Sequence, residues 1–209
     1  MPAIQAVIFD LGRVLVDIDL SRGLFRRLTQ TRNEPPDAVL ARLSGDDLFR
    51  RYCAGDLTPA AFHAEVNARL GMTLSFEEFA SVWCDIFLPM AGMEALFAEI
   101  EARVRVGLLS DTDPLHWEHL RRQFPMLQRI AAPTLSYQVR AAKPDPRMFA
   151  AAARNVGAPP ASCFYTDDLP TNIEAAERAG MQAMVFRGAA ALREELRQRG
   201  LAVKPASCG

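Results

Sequence analysis

Short apolar runs alternate with longer amphipathic segments along most of the chain, and a polar turn follows each run. Such runs are typical of strands buried in a parallel sheet. The predicted strands are 4–9, 104–109, 162–166 and 183–186, with a weaker one at 133–137. The predicted helices are 114–123, 146–155, 170–179 and 189–199. This alternation predicts an α/β fold with a doubly wound, Rossmann-like parallel sheet of about five strands.

One long stretch, residues 18–88, interrupts the alternation. It contains amphipathic segments at 24–28, 46–52, 59–70 and 76–87 and no convincing strand. Gly55 and Gly71 lie where helices would end, and glycine is common just after the last residue of a helix. We therefore predict an all-helical cap domain at 18–88, inserted after the first strand, and a core domain formed by 1–17 and 89–209.

Composition narrows the class of partner. The chain has 209 residues, half of them hydrophobic, and a formal net charge of -1. A balanced charge favours neither nucleic acid nor a membrane surface, so we expect a small-molecule partner and a monomer or homodimer. The four cysteines lie far apart, with no metal-binding spacing, and are expected to be reduced. The apolar run at 3–9 is too short to span a membrane, and we expect a cytoplasmic protein.

Polar residues follow the predicted strands at the points where a ligand site would form. Asp10 follows the first strand, Ser110 and Asp111 the second, Lys143 comes after the third, and Asp167-Asp168 follow the fourth. The carboxyl ends of parallel strands share one edge of a sheet, and ligands bind there. We therefore expect these residues to converge on one crevice.

Together these groups point to phosphate chemistry. Crowded carboxylates repel one another unless a cation lies among them, and an all-oxygen site suits Mg²⁺. Lys143 and Ser110 would neutralise and orient a phosphate. Asp10 could then attack phosphorus and form an aspartyl-phosphate.

The motifs resemble those of the haloacid dehalogenase superfamily, and the resemblance covers nearly the whole chain. The residues that carry it are Asp10-x-Gly12, Leu109-Ser110, Lys143-Pro144 and Asp167-Asp168, in that order. A narrower resemblance is to α-D-glucose-1-phosphate phosphatases and to the phosphatase domain of epoxide hydrolases. It rests on Asp10-Leu11-Gly12, Val16-Asp17-Ile18-Asp19, Leu109-Ser110-Asp111-Thr112, His116, Thr166-Asp167-Asp168 and Asn172.

The resemblance implies a magnesium site at this edge. Asp10 would be both the nucleophile and a metal ligand, and the Gly12 carbonyl and the Asp168 carboxylate would be further ligands. Asp167 would hold metal-bound water. The helical cap would close over the site, exclude water and select the substrate.

The resemblance also implies the contacts to substrate. Ser110 would bind a phosphoryl oxygen, and Lys143 would bridge the nucleophile and the phosphate. Asp111 and His116 are further candidate substrate contacts. The implied activity is that of a Mg²⁺-dependent phosphomonoesterase of a small phosphorylated metabolite, with sugar phosphates among the candidates.

Three residues depart from the pattern of the superfamily. Gly12 stands where most of its phosphatases carry an aspartate that protonates the leaving oxygen, a contribution worth ~10² to 10⁴-fold in rate. Asp111 replaces the usual asparagine, and Cys53 replaces a common glutamate of the cap. A slow enzyme or an easily expelled leaving group follows from Gly12. Asp17 or Asp19 is a candidate replacement for the missing acid.

Two other functions fit parts of the pattern. A 2-haloacid dehalogenase also uses an aspartate nucleophile. It lacks the second carboxylate, as this chain does at Gly12, but it needs no metal. The pair Asp167-Asp168 argues against it, because carboxylates gathered without a cation would repel an anionic substrate. A catalytically weak protein that binds Mg²⁺ and a phosphorylated ligand is the other alternative.

Overall fold

A five-stranded parallel sheet forms the centre of the protein. The computed structural model describes residues 2–33, 35–44 and 47–204. The strands of the sheet are β1 (Ala6–Phe9), β4 (Arg105–Ser110), β5 (Thr134–Leu135), β6 (Cys163–Asp167) and β7 (Gln182–Val185). Their order is β5-β4-β1-β6-β7, so β1 lies in the middle. A separate antiparallel pair joins β2 (Val16–Ile18) to β3 (Phe87–Pro89).

Helices account for the rest of the regular structure in the described residues. Those between β2 and β3 are α1 (Gly23–Arg32), α2 (Pro36–Ser44), α3 (Leu48–Cys53), α4 (Pro59–Leu70) and α5 (Phe76–Cys84). Those after β3 are α6 (Met93–Glu101), α7 (Pro114–Gln123), α8 (Pro125–Gln128), α9 (Ser136–Val139), α10 (Pro146–Val156), α11 (Pro170–Arg178) and α12 (Ala189–Gln198). A short 3₁₀ turn precedes β6.

Both faces of β1 are buried, which explains its unbroken apolar sequence. Successive side chains of a strand point to opposite faces. Val7 and Phe9 belong to a large core on one face, where Phe9 lies against Phe97 of α6. Ala6 and Ile8 belong to a second core on the other face, built with α10 and α11. The sheet is thus covered on both sides, as parallel sheets are.

The helices α1 to α5 pack on one another and also contact the helices that follow the sheet strands. Ser136 Oγ at the start of α9 donates a hydrogen bond to the carbonyl oxygen of Cys53, at 2.6 Å. Arg140 and Asp56 form an ion pair at 2.7 Å. Gly55 has a φ of 77°, and a Cβ there would collide with the carbonyl of Tyr137. Only glycine permits this close approach of the two segments.

The predicted fold class is confirmed, and the strands lie within two residues of the predicted ones. The prediction was wrong at Phe87, which lies in β3 and pairs with Ile18 rather than ending a helix. It was also wrong at Ser136 and Tyr137, which open α9 instead of extending a strand. The helices α2 and α6 were not predicted.

Two sequence expectations fall partly outside the described residues. Residue 46, the first of the predicted amphipathic segment 46–52, lies there, and so does Cys208. The other cysteines, Cys53, Cys84 and Cys163, are buried free thiols. Burial raises the pKa of each of these thiols, so they are poor nucleophiles. In the described part of the chain, no helix has the length and apolar character that crossing a membrane requires.

Candidate active site

The predicted site residues meet at the carboxyl edge of the sheet. Asp10 follows the central strand and is buried, and its N–H donates to the carbonyl of Thr166 at 2.9 Å. Ser110 ends β4 on one side of β1, and Asp167 ends β6 on the other. The site is therefore built where neighbouring strands finish side by side, as expected for this architecture.

Lys143 lies at the centre of the cluster. Its ammonium group donates to Asp10 Oδ1 at 2.7 Å and to Asp167 Oδ2 at 2.8 Å, and it contacts the hydroxyl of Tyr165 at 3.3 Å. Its side chain is only 4% exposed. Burial opposes the charged form, yet Asp10, Asp167 and Asp111 together raise the pKa of Lys143 above its usual value. A permanent positive charge is thus held beside the proposed nucleophile.

Asp167 is fully buried and its oxygens accept hydrogen bonds from several protein groups. Its donors include Lys143, the hydroxyl of Tyr165, the amide of Asn172 at 3.0 and 3.1 Å, and the N–H of Leu169 at 2.9 Å. Burial alone would raise the pKa of Asp167, but Lys143 and these hydrogen bonds lower it. Asp167 is therefore held as an anion that orients Lys143.

Three carboxylates form a candidate cation site. Asp10, Asp167 and Asp168 each offer an oxygen, and these oxygens lie within 4.8 Å of one another. Burial and the charge of Asp167 raise the pKa of both Asp10 and Asp168, against the opposing effects of Lys143 and Arg13. A divalent cation would relieve this repulsion, and an all-oxygen donor set suits a hard cation such as Mg²⁺.

Asp111 has a structural contact that the sequence did not indicate. Both of its carboxylate oxygens accept a hydrogen bond from the backbone N–H of Lys143, at 3.0 and 3.1 Å. Lys143 lies in a loop after α9, and Asp111 ties that loop to the end of β4. Asp111 thus positions Lys143, whereas its predicted contact with substrate stays a prediction.

A cavity of about 300 Å³ lies between this edge and the helices α1 to α5. Gly12, Ser110 and Asp111 form part of its wall at the sheet edge, and apolar side chains form most of the remainder. The volume is at the lower end of the ~300–1,000 Å³ range of small-molecule pockets. Leu11 and Gly12, which follow Asp10 directly in the chain, are among the residues that line this cavity.

His116 lines the cavity, but both of its ring nitrogens face protein acceptors. Nδ1 lies 2.8 Å from Asp113 Oδ2, and Nε2 lies 3.1 Å from the carbonyl of Trp83. The ring also stacks on the indole of Trp83, with the centroids 5.0 Å apart. His116 thus fastens α5 to α7, and its predicted role as a substrate contact stays a prediction.

Asp17 and Asp19 lie outside this cavity. Asp17 is exposed and accepts a hydrogen bond from the N–H of Ile18, while Asp19 accepts from the N–H and hydroxyl of Ser21. The intervening Ile18 and Leu20 line the cavity instead. Hydrogen bonds from Ser21 also lower the pKa of Asp19, which makes it a poor proton donor. The suggestion that either residue replaces the missing acid is therefore not supported.

Sequence reasoning missed three residues of the site. Arg13 lines the cavity, and its guanidinium lies 3.9 Å from Asp168. Tyr165 binds Lys143 and Asp167 from two positions back on the same face of β6. Asp113 accepts from His116 N–H at 3.0 Å and from the indole of Trp83 at 3.3 Å. The two-residue period of β6 could have indicated Tyr165, and the position of Asp113 before Pro114 could have indicated a helix cap.

The parallel sheet, with an acidic cluster and a buried lysine at its carboxyl edge, is a doubly wound α/β fold with a candidate ligand site at the strand ends. Residues 4–180 match the model of the haloacid dehalogenase-like hydrolase family. The protein belongs to this family. The superfamily resemblance stated from the motifs is thereby confirmed.

Two sequence relatives are phosphatases, and a solved structure has the same fold. The chain is 24% identical over 92% of its length to D-ribitol-5-phosphate phosphatase of Bacteroides thetaiotaomicron, of which 97% is covered. It is 29% identical over 87% of its length to a phosphatase of Mycobacterium tuberculosis, of which 86% is covered. A family enzyme from B. thetaiotaomicron, solved with magnesium and inorganic phosphate, superposes with a TM-score of 0.77 at 24% identity, covering 90% of this chain and 96% of that one.

Magnesium is expected to stabilise the folded protein through Asp10 and Asp168. At about 100 times the dissociation constant, binding adds ~2.7 kcal/mol, so the Tm should rise by roughly 5–10 °C for a chain of this size. Thermal unfolding with and without Mg²⁺ measures the shift. Asp168→Asn should remove it, whereas Asp145→Asn, in an exposed helix cap, should keep it. A full shift in Asp168→Asn would contradict the proposed ligand set.

Proposed function

We propose that this protein is a Mg²⁺-dependent phosphomonoesterase that acts on a small phosphorylated metabolite. The observation that carries the proposal is the Lys143 ammonium, which contacts Asp10 at 2.7 Å beside three carboxylate oxygens within 4.8 Å of one another. Two of the relatives are phosphatases, and a structure of the same fold contains magnesium and phosphate. These names support the same reaction class for this chain.

In the proposed reaction, an Asp10 oxygen attacks phosphorus. A bond forms between this oxygen and phosphorus, and the bond from phosphorus to the leaving oxygen breaks, so that the leaving group takes the electron pair. Water then hydrolyses the aspartyl-phosphate to release phosphate and restore Asp10. Lys143 balances the negative charge of the phosphoryl group, and the Ser110 hydroxyl donates to one of its oxygens.

The carboxylates Asp10 and Asp168, with the Gly12 carbonyl, would hold Mg²⁺. Asp167 would accept from metal-bound water. When bound, the ion would neutralise the charge that develops on the phosphoryl oxygens.

We also propose that residues 18–88 act as a cap domain over a core of 1–17 and 89–209. The helices α1 to α5 supply cavity-lining residues such as Phe25 and Trp83, whereas the sheet edge supplies Ser110 and Gly12. A bound substrate would thus be shielded from water by the helices while its phosphate lies at the edge of the sheet.

Hydrolysis of a panel of phosphorylated metabolites, with Mg²⁺ and with a chelator, tests the proposed function. Phosphate release that requires Mg²⁺ is expected. Gly12 also fits a 2-haloacid dehalogenase, which would release chloride from 2-chloropropionate in the presence of chelator. A protein that binds Mg²⁺ and beryllium fluoride at Asp10 yet turns over no phosphate ester would instead be a binding module.

Introducing an acid at position 12 is expected to speed the hydrolysis of esters with a basic leaving oxygen. For Gly12→Asp, kcat/KM on an alkyl phosphate should rise about 10²-fold, while that on phenyl phosphate should change little. A Cβ at position 12 would lie 2.7 Å from Ile18 Cδ1, so Gly12→Asp combined with Ile18→Val gives the carboxylate more room. If neither variant gains activity at unchanged thermal stability, another group already supplies the proton.

A further inference from the structure

The cavity beside Asp10 has an apolar wall beyond the sheet edge. Its apolar side chains are Leu11, Ile18, Leu20, Phe25, Leu43, Phe49, Trp83, Ile86, Phe87 and Leu120. Polar side chains are concentrated at the phosphate end, where Ser110, Asp111 and Thr112 follow β4. A leaving group that fills the remainder would bury its surface against carbon atoms, which favours an apolar group.

Arg13 lies at the sheet edge beside Asp168, and the polar groups of the wall beyond this edge have protein partners. The indole N–H of Trp83 donates to Asp113, and both ring nitrogens of His116 face Asp113 or the carbonyl of Trp83. Asp111 accepts from the N–H of Lys143. A polyol or sugar placed here would lose water from its hydroxyls without gaining equivalent hydrogen bonds, and such unmet groups weaken binding.

The absence of an acid at Gly12 selects the leaving group independently of shape. The space beside Gly12 is filled by the terminal carbon of Ile18, which cannot donate a proton. Without an acid at position 12, a leaving oxygen departs more readily the less basic it is. A phenolic oxygen has a pKa of about 10, whereas an alkoxide is as basic as hydroxide, whose parent water has a pKa of about 15.7. Phenolic esters thus need the missing acid least.

Aromatic side chains also favour a flat ring in the cavity. Trp83 stacks on both His116 and Phe79 and meets Phe49 edge-on, with the Phe49 and Trp83 centroids 5.9 Å apart. Phe49 lines the cavity and is nevertheless 40% exposed, so part of its ring has no protein neighbour. Aromatic pairs gain free energy beyond their buried area.

We propose, on the basis of the phosphatase function above, that the preferred substrate is an aryl phosphate, the monoester of a phenolic hydroxyl on a flat apolar ring. Its phosphate lies between Asp10, Ser110 and Lys143, and its ring lies against Phe49. The phenolate leaves with the electron pair of the broken bond to phosphorus and takes its proton from solvent.

Three substrates separate ring binding from leaving-group acidity, with the wild-type protein and Mg²⁺ in each case. Benzyl phosphate and ribitol 5-phosphate are both primary alkyl esters, so the difference between them reports the apolar cavity. Phenyl and benzyl phosphate both carry the ring, so the difference between them reports leaving-group acidity. We expect kcat/KM to be about tenfold higher for benzyl phosphate than for ribitol 5-phosphate, and about 10²-fold higher again for phenyl phosphate.

The outcomes distinguish this proposal from the proposed function. The substrate class would be overturned if kcat/KM for ribitol 5-phosphate equalled that for benzyl phosphate, or if kcat/KM for phenyl phosphate were no higher than that for benzyl phosphate. Either result would leave the proposed phosphatase function in place. No hydrolysis of any of the three esters would overturn the substrate class, whereas no phosphate release from any member of the wider metabolite panel would overturn the proposed function.

Two matched variants locate the ring. Phe49→Ser should lower kcat/KM for benzyl phosphate about tenfold more than it lowers that for ribitol 5-phosphate. Phe76 on α5 is also 40% exposed but does not line the cavity, so Phe76→Ser should change neither value. Equal losses on both substrates in Phe49→Ser would overturn the assigned contact.

Discussion

Asp10→Asn is expected to reduce phosphatase turnover by at least about 10⁴-fold, because the amide cannot attack phosphorus as a carboxylate does. The substitution preserves the size of a buried side chain next to Lys143. Turnover of phenyl phosphate under saturating Mg²⁺ measures the loss. Circular dichroism and thermal unfolding show whether the fold is retained.

Asp17→Asn is the matched control for that experiment. Asp17 is an exposed aspartate on β2, and the neighbouring Ile18 rather than Asp17 lines the cavity. Its replacement should leave turnover within a factor of about two, since surface substitutions of this kind change little. Residual activity of a tenth or more in Asp10→Asn would show that another group is the nucleophile.

Lys143→Met is expected to remove activity and also to lower the free energy of unfolding by about 3–5 kcal/mol, because it leaves buried carboxylates without their cation. The pKa of Lys143 is raised in the folded protein and that of Asp167 is lowered. The stabilising pair is therefore complete at neutral pH and is lost as acid protonates Asp167. Urea unfolding should show the full loss of unfolding free energy in Lys143→Met, relative to the wild type, at pH 7 and a smaller loss below about pH 4.

Arg147→Met is the matched control for Lys143→Met, because it removes the cation of an exposed ion pair. Arg147 pairs with Asp145 at 2.7 Å, but its side chain is 66% exposed. Solvent screens such a pair, and its loss should change the free energy of unfolding far less than the loss of Lys143 does. If Lys143→Met were equally well tolerated in the absence of Mg²⁺, Lys143 would not be the group that neutralises the buried carboxylates.

The sequence was sufficient to predict which residues gather at the carboxyl edge of the sheet, because strand ends follow a simple rule. The apolar runs locate the strands, and the residue after each run lies at the same edge of a parallel sheet. This rule places Asp10, Ser110 and Asp167 together without any knowledge of side-chain contacts. Lys143 follows the third run at a greater distance, and its loop is brought in by Asp111.

The choice of hydrogen-bond partners could not be predicted in the same way. Asp111 and His116 are polar residues near the edge, and sequence alone gives no reason why one binds the Lys143 backbone and the other binds Asp113 and Trp83. These partners depend on how the inserted helices pack on α7. The strand β3 was missed for the same reason, since Phe87 continues the apolar pattern of α5 and only pairing with Ile18 makes it a strand.

The pairing of β2 with β3 brings together the two points where the helical segment leaves and rejoins the chain. Val16 lies opposite Pro89, so the segment of about seventy residues between them begins and ends at the same place. Such a segment can be lengthened, shortened or exchanged between homologous proteins while Asp10 and Lys143 keep their places. Exchanging this helical segment for those of other family members offers a route to new substrate ranges while the residues at the sheet edge stay the same.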